Sequence, residues 1–235
     1  MMASEPITVE DIVALIAAYL SPENKGDITV EDISSLIDDY LAQGMNHLCP
    51  DSNHPHAIDL GLPSGTKWAC CNVGASCPEG YGGYYAWGET EEKSYYDWES
   101  YKYYIENTYT CEYIGSDIAG TSYDVAHVKW GGSWRMPTAE QRWELLDNCS
   151  SEWTVENGVS GRRFTGPNGA SVFLPAAGYR FRDDLYSAGY CGVCWSSSPS
   201  PSLGSDAYYL YVDSGYADWD NLNRLYGLSV RAVCP

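Results

Sequence analysis

The sequence predicts an α+β protein in which a small all-α helical hairpin precedes a larger domain rich in β-strands. A repeat with helical periodicity occupies the first 45 residues, many short strand-like segments separated by Gly, Pro and Ser follow from Ala57, and one strong helix interrupts them. Short strands combined with one or two helices are typical of α+β domains. We therefore divide the chain into a helical repeat (1–45), a polar linker (46–56) and a main domain (57–235).

Charge and composition exclude several classes of partner. The 235 residues have a net charge of −19, which argues against nucleic acid, because binding phosphates requires clustered Lys and Arg. No apolar run reaches the roughly 18 residues of a membrane span, so we expect no membrane insertion.

No signal-peptide pattern is visible at the start, but abundant Tyr, Gly and Ser with few Lys are typical of exported bacterial proteins. We expect an extracellular, cell-surface or phage-particle location.

The N-terminal repeat has two copies, which read ITVEDIVALIAAYL (7–20) and ITVEDISSLIDDYL (28–41). Thr8 and Thr29 each precede an acidic first turn, as helix N-caps do. Each copy has one apolar stripe at helical spacing, and we expect the two stripes to pack together. The stripes are Ile12, Leu15, Ile16 and Tyr19, and Ile33, Leu36, Ile37 and Tyr40.

This duplication resembles the dockerin modules of bacterial extracellular proteins, which are tandem repeats of a calcium loop and a helix. When Gly26 is aligned with the loop glycine, the first three ligand positions hold Ser21, Glu23 and Lys25. Only Glu23 is a carboxylate there, although Asp27 and Asp32 could contribute, and calcium needs several hard oxygen ligands. Calcium is therefore possible but not favoured, no other cofactor is expected, and a helical hairpin that binds a protein partner is the preferred interpretation.

In the main domain the strongest predicted helix is Thr138–Asn148, with the sequence TAEQRWELLDN. Thr138 is the expected N-cap, and Gln141 stands three residues later, as in a capping box. Trp143, Leu145 and Leu146 are expected to form its buried face.

A run of motifs in residues 57–235 resembles the major paralogous domain group, secreted or surface proteins of gut bacteria and their phages that have a C-type-lectin-like fold. In order, these motifs are IDLGLPSGTKWA, YYAWGET, WGGSWRMPTAEQRWELLDNC, GPNGASVFLPAAGYR, WSSSP and GLSVRAV. The resemblance implies that fold, with a frame from Trp68 to Tyr179. It also implies a further property, since some proteins of this fold class are variable targets of diversity-generating retroelements. These elements mutate adenines of a template repeat and copy the result into the 3′ end of the gene.

The residue types of the C-terminal segment fit adenine mutagenesis. A mutated Asn codon keeps its final pyrimidine, so it can become Tyr, Asp, Ser, Cys, Leu, Val, Gly or Ala but never Lys, Glu, Gln, Met or Trp. Residues 190–235 contain no Lys, Glu, Gln or Met, whereas residues 1–189 contain 26 of them. We predict a diversified segment at about 186–235.

Strand alternation then separates surface from support. Tyr208, Leu210 and Val212 are predicted to face inward with Ala217 and Trp219. The predicted outward, ligand-binding residues are Tyr190, Cys191, Val193, Tyr209, Tyr211, Asp213, Tyr216, Asp218, Asp220, Leu222, Leu225 and Tyr226. Those predicted to support the surface are Trp195, Trp219, Arg224 and Arg231. A surface rich in Tyr with Asp and Ser resembles an antibody paratope; the alternative is that these residues complete the core of a Tyr-rich domain.

Other chemistries have weaker signals. The C-x-x-C of Cys191 and Cys194 is interpreted as two products of mutated codons, with a local disulfide as the alternative. Cys70, Cys71 and Cys77, with a residue such as His127, lack paired zinc spacing, so disulfides or buried thiols are expected and no metal site is predicted. Catalytic motifs are absent, and the C-terminal cysteines do not match the motif of formylglycine-generating enzymes, which share the fold.

The sequence thus predicts a non-enzymatic protein that presents a hypervariable surface to an unknown protein or glycan ligand, for adhesion or receptor recognition by a bacterium or phage. The alternative is a surface or carbohydrate-associated structural module that is not diversified and is docked through its N-terminal repeat.

Overall fold

The computed structural model describes residues 9–21, 28–34, 49, 56–108 and 110–235. Within these ranges the chain has many short strands and a few short helices, which confirms the α+β class. None of the helices in these ranges is long and apolar enough to cross a membrane.

The described part of the N-terminal repeat is helical in both copies. Helix α1 spans Val9–Tyr19, and residues 30–34 of the second copy are helical. Thr29 caps the second copy as predicted: its hydroxyl accepts from the backbone N–H of Asp32 (3.2 Å), while its own N–H donates to the Asp32 carboxylate (2.7 Å). The hydrogen bond that the Asp32 carboxylate accepts from the Thr29 backbone, followed by the one that it accepts from the Thr29 hydroxyl (2.8 Å), lowers the pKa of Asp32.

The predicted packing of the two stripes lies largely outside the described residues. Ile12, Leu15, Tyr19 and Ile33 are half-buried and Ile16 is exposed, while Leu36, Ile37 and Tyr40 are not described. The expected calcium-loop positions Glu23, Lys25, Gly26 and Asp27, and the cap Thr8, also lie outside the described residues.

The main domain contains thirteen strands and two helices in the described ranges. The strands are β1 (Ala57–Asp59), β2 (Lys67–Asn72), β3 (Tyr104–Ile105), β4 (Thr110–Cys111), β5 (Ser150–Glu156), β6 (Val159–Thr165), β7 (Ser171–Pro175), β8 (Tyr179–Phe181), β9 (Asp184–Tyr186), β10 (Cys191–Pro199), β11 (Asp206–Asp213), β12 (Ala217–Asn223) and β13 (Arg231–Cys234). The helices are α2 (Val125–Trp130) and α3 (Ala139–Asn148).

Three small antiparallel sheets organise these strands. The first has the order β1-β2-β13, so the first and last strands of the domain share one sheet. The second is β5-β6-β7 and the third is β10-β11-β12, while β3–β4 and β8–β9 are separate hairpins. Cys49, which the sequence assigns to the linker, is buried in the core cluster that includes Cys70 and Trp195. The packed domain therefore includes a residue of the predicted linker.

Helix α2 begins at a fully buried aspartate. The Asp124 carboxylate accepts hydrogen bonds from four backbone N–H groups, those of Gly120, Ala126, His127 and Met136, at 2.8–3.1 Å. Desolvation raises the pKa of this carboxyl, and the four hydrogen bonds oppose that shift. Asp124 thus caps the helix and also fixes the loop before it to the segment that leads into α3.

Helix α3 begins where the sequence predicts. Thr138 Oγ1 accepts from the N–H of Gln141 (3.3 Å), and the Gln141 side chain accepts from the N–H of Thr138 (3.1 Å). From this cap α3 runs across the β10-β11-β12 sheet and packs on all three strands. Leu145 is buried as expected, whereas Trp143 and Leu146 are only half-buried.

Two buried arginines differ in the hydrogen bonds that their guanidinium groups make. Arg142 on α3 is 1% exposed, and among the described residues no group accepts a hydrogen bond from its guanidinium. Desolvation lowers its pKa to about 9. Arg231 on β13 is 0% exposed, but its guanidinium donates to Asn72 Oδ1 (2.8 Å), to the carbonyls of Ala69 and Cys70 (3.0 Å each) and to that of Pro78 (3.5 Å).

We predict that removing these two charges has opposite effects on stability. Arg142→Met should raise the free energy of unfolding by about 1 kcal/mol, because an unpaired charge is costly to bury. Arg231→Met should lower it by about 3 kcal/mol, because it leaves several buried acceptors unsatisfied. Urea denaturation at pH 7 measures both, and a loss for Arg142→Met as large as that for Arg231→Met would contradict the assignment.

Candidate functional site: a tyrosine-lined cleft on the C-terminal sheet

The register of the β10-β11-β12 sheet assigns its residues to two faces, because successive side chains of a strand alternate. The face toward α3 carries Cys194, Leu210, Val212, Ala217 and Trp219. The opposite face carries Cys191, Val193, Trp195, Tyr209, Tyr211, Asp218, Asp220 and Leu222. The predicted separation of Leu210 and Val212 from Tyr209 and Tyr211 is confirmed, since the first two are buried and the tyrosines are half-buried.

A cleft of 190 Å³ lies on the face opposite α3. We call it the tyrosine cleft, and its lining residues are Tyr179, Cys191, Val193, Tyr209, Tyr211, Leu222 and Tyr226. Six of these seven belong to the predicted ligand-binding set, although they come from β10, β11, β12 and the segment after β12. The fold therefore brings together residues that are separated by up to 35 positions in the sequence.

The seventh residue, Tyr179, introduces a wall that the sequence analysis missed. Tyr179 lies on β8, and its ring stacks on Tyr186 of β9 with centroids 5.7 Å apart and contacts Tyr226 edge-on at 5.8 Å. Phe181 also contacts Tyr226, at 5.0 Å. The hairpin β8–β9 therefore forms one side of the cleft. Alternating Tyr179 and Phe181, followed by Tyr186, could have indicated an aromatic hairpin.

The hydroxyl groups of Tyr209 and Tyr211 remain protonated near neutral pH. Burial, and to a lesser extent the Asp220 carboxylate, raises the pKa of Tyr209 to about 12. Burial and the hydrogen bond from Tyr211 Oη to Asp213 Oδ2 (3.0 Å) raise the pKa of Tyr211. These side chains therefore offer apolar ring faces together with neutral hydroxyl groups.

Asp213 shapes the turn between β11 and β12. Its carboxylate accepts from the N–H groups of Gly215 (2.7 Å) and Tyr216 (2.9 Å). The hydrogen bond from Tyr216 is the main reason that the pKa of Asp213 is lowered. The turn also places the Tyr216 ring 5.5 Å from that of Tyr211, at the edge of the cleft.

The predicted ligand-binding residues differ in exposure. Tyr190 is 80% exposed, and Tyr216, Asp218 and Asp220 are exposed as predicted. Asp213, Leu222 and Tyr226 are half-buried. The exposed part of the predicted surface is thus tyrosine with acidic residues beside it.

Three residues predicted to point outward are buried. Cys191 and Val193 are on the predicted face, but β10 is covered there and they form the floor of the cleft. Leu225 is 2% exposed and packs in a cluster with Tyr96 and Tyr101. Leu225 follows the end of β12, so strand alternation no longer determines its direction.

Three of the four predicted supporting residues are buried. Trp195 donates from Nε1 to the carbonyl of Tyr85 (2.8 Å). Arg224 lies 4.3 Å above the Trp87 ring and donates from Nε to the carbonyl of Asp206 (3.1 Å), which fixes the chain after β12.

Trp219 departs from this pattern because it is 40% exposed. It lies on the predicted face and contacts Trp143 edge-on at 5.6 Å. Since α3 covers only part of β12, which is at the edge of the sheet, the indole remains accessible.

The C-x-x-C pair does not form a chelating or disulfide site. Cys191 faces the tyrosine cleft, whereas Cys194 faces the opposite side of the same strand, and both are thiols. Residues three positions apart in a strand point in opposite directions, so a local disulfide is excluded by the geometry.

Larger concavities lie elsewhere on the described surface. One of 640 Å³ is bordered by Ile58, Cys70, Glu156, Arg163 and Phe173. Another, of 720 Å³, is bordered by residues of the segment 98–107. The tyrosine cleft is smaller, but more of the predicted ligand-binding residues line it than line any of these. Binding a macromolecule requires an exposed complementary surface more than it requires a deep pocket.

We predict that the two C-x-x-C thiols react independently and slowly. Burial raises the pKa of Cys194 to about 11 and also raises that of Cys191, and alkylation requires the thiolate. Iodoacetamide at pH 8 should label Cys191 slowly from the cleft and Cys194 only after unfolding, as timed labelling with peptide mass spectrometry would measure. The denatured chain provides the fully labelled control, and a Cys191–Cys194 disulfide peptide would contradict the structure.

No family model, curated protein or solved structure matches this chain. The assignment of function therefore depends on the geometry and residue types of the tyrosine cleft.

Proposed function

We propose that the protein is a non-enzymatic ligand-binding protein that presents the tyrosine cleft and its margin as a hypervariable surface on a C-type-lectin-like scaffold. The main support is a coincidence of two independent observations. The segment whose residue types fit adenine mutagenesis supplies six residues of one cleft, five on one face of one sheet and the sixth, Tyr226, just after its last strand. A stretch of unrelated core residues would give no reason for both patterns to occur together.

The residues at the cleft suit contact with a protein or glycan ligand. Tyr209, Tyr211 and Tyr226 combine a large ring with a hydroxyl group and have only two side-chain torsions, so binding orders them at low entropic cost. Asp218 and Asp220 at the margin are exposed acceptors. Ring faces next to carboxylates favour ligands that carry Lys or Arg, through cation–π contacts and ion pairs.

The surface has a rigid base, which a binding site needs. Trp195 and Trp87 each donate an indole hydrogen bond across the core, to the carbonyls of Tyr85 and Ser196 (2.8 Å each). Leu210 and Val212 of β11 are buried on the face of the sheet opposite the cleft. Exposed residues can therefore change while the strands that present them stay in place.

The biological role that we propose is adhesion or receptor recognition by a bacterium or phage, at the cell surface, outside the cell or on the phage particle. The N-terminal repeat would then attach the main domain to a protein partner.

The sequence of the gene and its neighbourhood tests the diversification. We predict a near-copy of the 3′ end that differs only at adenines of the template and lies beside a reverse-transcriptase gene. If sequencing of the locus finds no such repeat, the hypervariable function is wrong, and the non-diversified surface module replaces it.

We predict that randomising the cleft yields binding proteins. A displayed library varied at Tyr190, Tyr209, Tyr211, Tyr216, Asp218 and Asp220 should fold and give binders to an unrelated basic protein such as lysozyme, with Kd values in the micromolar range or tighter. A matched library at exposed positions of β5 (Ser150, Ser151, Glu152 and Val155) is the control. Equal yields of binders from both libraries, or loss of display only in the cleft library, would contradict the proposal.

A further inference from the structure

The start of the main domain brings two cysteines and a histidine together. Cys49, His56 and Cys70 each offer one ligand atom, and these three atoms all lie within 4.8 Å of one another. Cys49 and Cys70 are buried and His56 is half-buried. The cluster lies outside the tyrosine cleft, and the proposed binding function does not use it.

Strand pairing explains how these residues meet. His56 directly precedes β1, and its carbonyl accepts from the N–H of Cys70 on β2 (2.9 Å). The antiparallel register continues with Ala57 opposite Ala69, so His56 and Cys70 are cross-strand neighbours with side chains on one face. Cys49 reaches the same point from the segment before β1.

The separation of the Cys70 and His56 ligand atoms suits a tetrahedral ion, and Cys49 Sγ lies within 4.8 Å of both. Cys70 Sγ and His56 Nδ1 are 3.5 Å apart. Zinc–sulfur bonds of about 2.3 Å and zinc–nitrogen bonds of about 2.0–2.1 Å give a tetrahedral S···N edge of about 3.6 Å. The observed separation therefore needs almost no rearrangement to accept zinc between the two atoms.

We propose that Cys49, His56 and Cys70 bind a zinc ion, with the two sulfurs as thiolates and Nδ1 of the imidazole as the third ligand. Two thiolates and an imidazole form a soft ligand set of the type that selects zinc over calcium or magnesium. Three protein ligands leave one tetrahedral position for water or a further side chain. The ion would attach the segment before β1 to the central strand of the first sheet.

The surroundings offer charge compensation and access. The Arg231 guanidinium donates to the Cys70 carbonyl (3.0 Å), so a buried positive charge lies beside the strand that would hold a thiolate. Cys70 also borders the 640 Å³ concavity with Ile58 and Pro78, so the cluster adjoins an opening to solvent.

This ligand set shares only Cys70 with the set of Cys70, Cys71, Cys77 and a residue such as His127 that the sequence offers. Cys71 follows Cys70 on β2, so its side chain points to the other side of the strand, where its thiol donates to the carbonyl of Ala75 (3.4 Å). His127 lies on α2. Zinc binding by Cys70 together with Cys71 is thus excluded by strand alternation.

Metal analysis of the full chain tests the proposal. Protein equilibrated with excess zinc under reducing conditions and then gel-filtered should retain one zinc per chain, and the cobalt-substituted protein should show thiolate-to-cobalt absorption in the near ultraviolet. Cys70→Ser and His56→Ala should each weaken zinc binding by more than the roughly 10- to 100-fold that loss of an outer-shell partner costs. Cys71→Ser is the matched control, a neighbouring buried thiol on the other side of β2, and should keep the metal.

Two outcomes would overturn the proposal: no zinc retained by the wild-type chain, or loss of zinc by Cys71→Ser equal to that by Cys70→Ser. If a ligand variant does not fold, the wild-type chain still decides the question. A chelator should then lower the Tm of the zinc-loaded protein, and an unchanged Tm with full zinc removal would refute a role for zinc in holding the segment before β1.

Discussion

The hydrogen bonds of Arg231 join the two ends of the main domain, and the other features depend on that junction. Its guanidinium lies on the last strand and donates to three carbonyls and one side chain of β2 and the following loop. Because β13 is fixed in this way, the preceding segment is also fixed, where Leu228 pairs with Tyr85. That segment positions Tyr226 against β8, which closes one side of the tyrosine cleft.

The β10-β11-β12 sheet places the side chains that stabilise the core on one face and the side chains proposed to bind a ligand on the other. One face packs toward α3 with Leu210 and Val212, while the other carries tyrosines into the cleft. A substitution at Tyr211 therefore leaves the contacts of Val212 with the core unchanged, although the two residues are adjacent in sequence. Such a sheet suits a protein whose surface residues change while its scaffold is maintained.

Local rules predicted what local interactions determine. The capping box at Thr138 and the alternation of β11 follow from hydrogen bonds and periodicity within one segment, and both are present. Leu225 was wrongly predicted because it lies beyond the end of β12. The position of Tyr179 as a wall of the cleft could not be predicted from spacing, because tertiary packing brings it to Tyr226. The cluster of Cys49, His56 and Cys70 could not be predicted either, because strand pairing brings His56 to Cys70.

The pairing of β2 with β13 also constrains the order of folding. Asn72 and Arg231 are 159 residues apart, so β2 has no partner on that edge until nearly the whole domain has been synthesised. Contacts between such distant residues require closure of a long loop, which slows folding. Most of the segment that we propose to be variable lies inside this loop, so each new sequence must remain compatible with closure before its surface can meet a ligand.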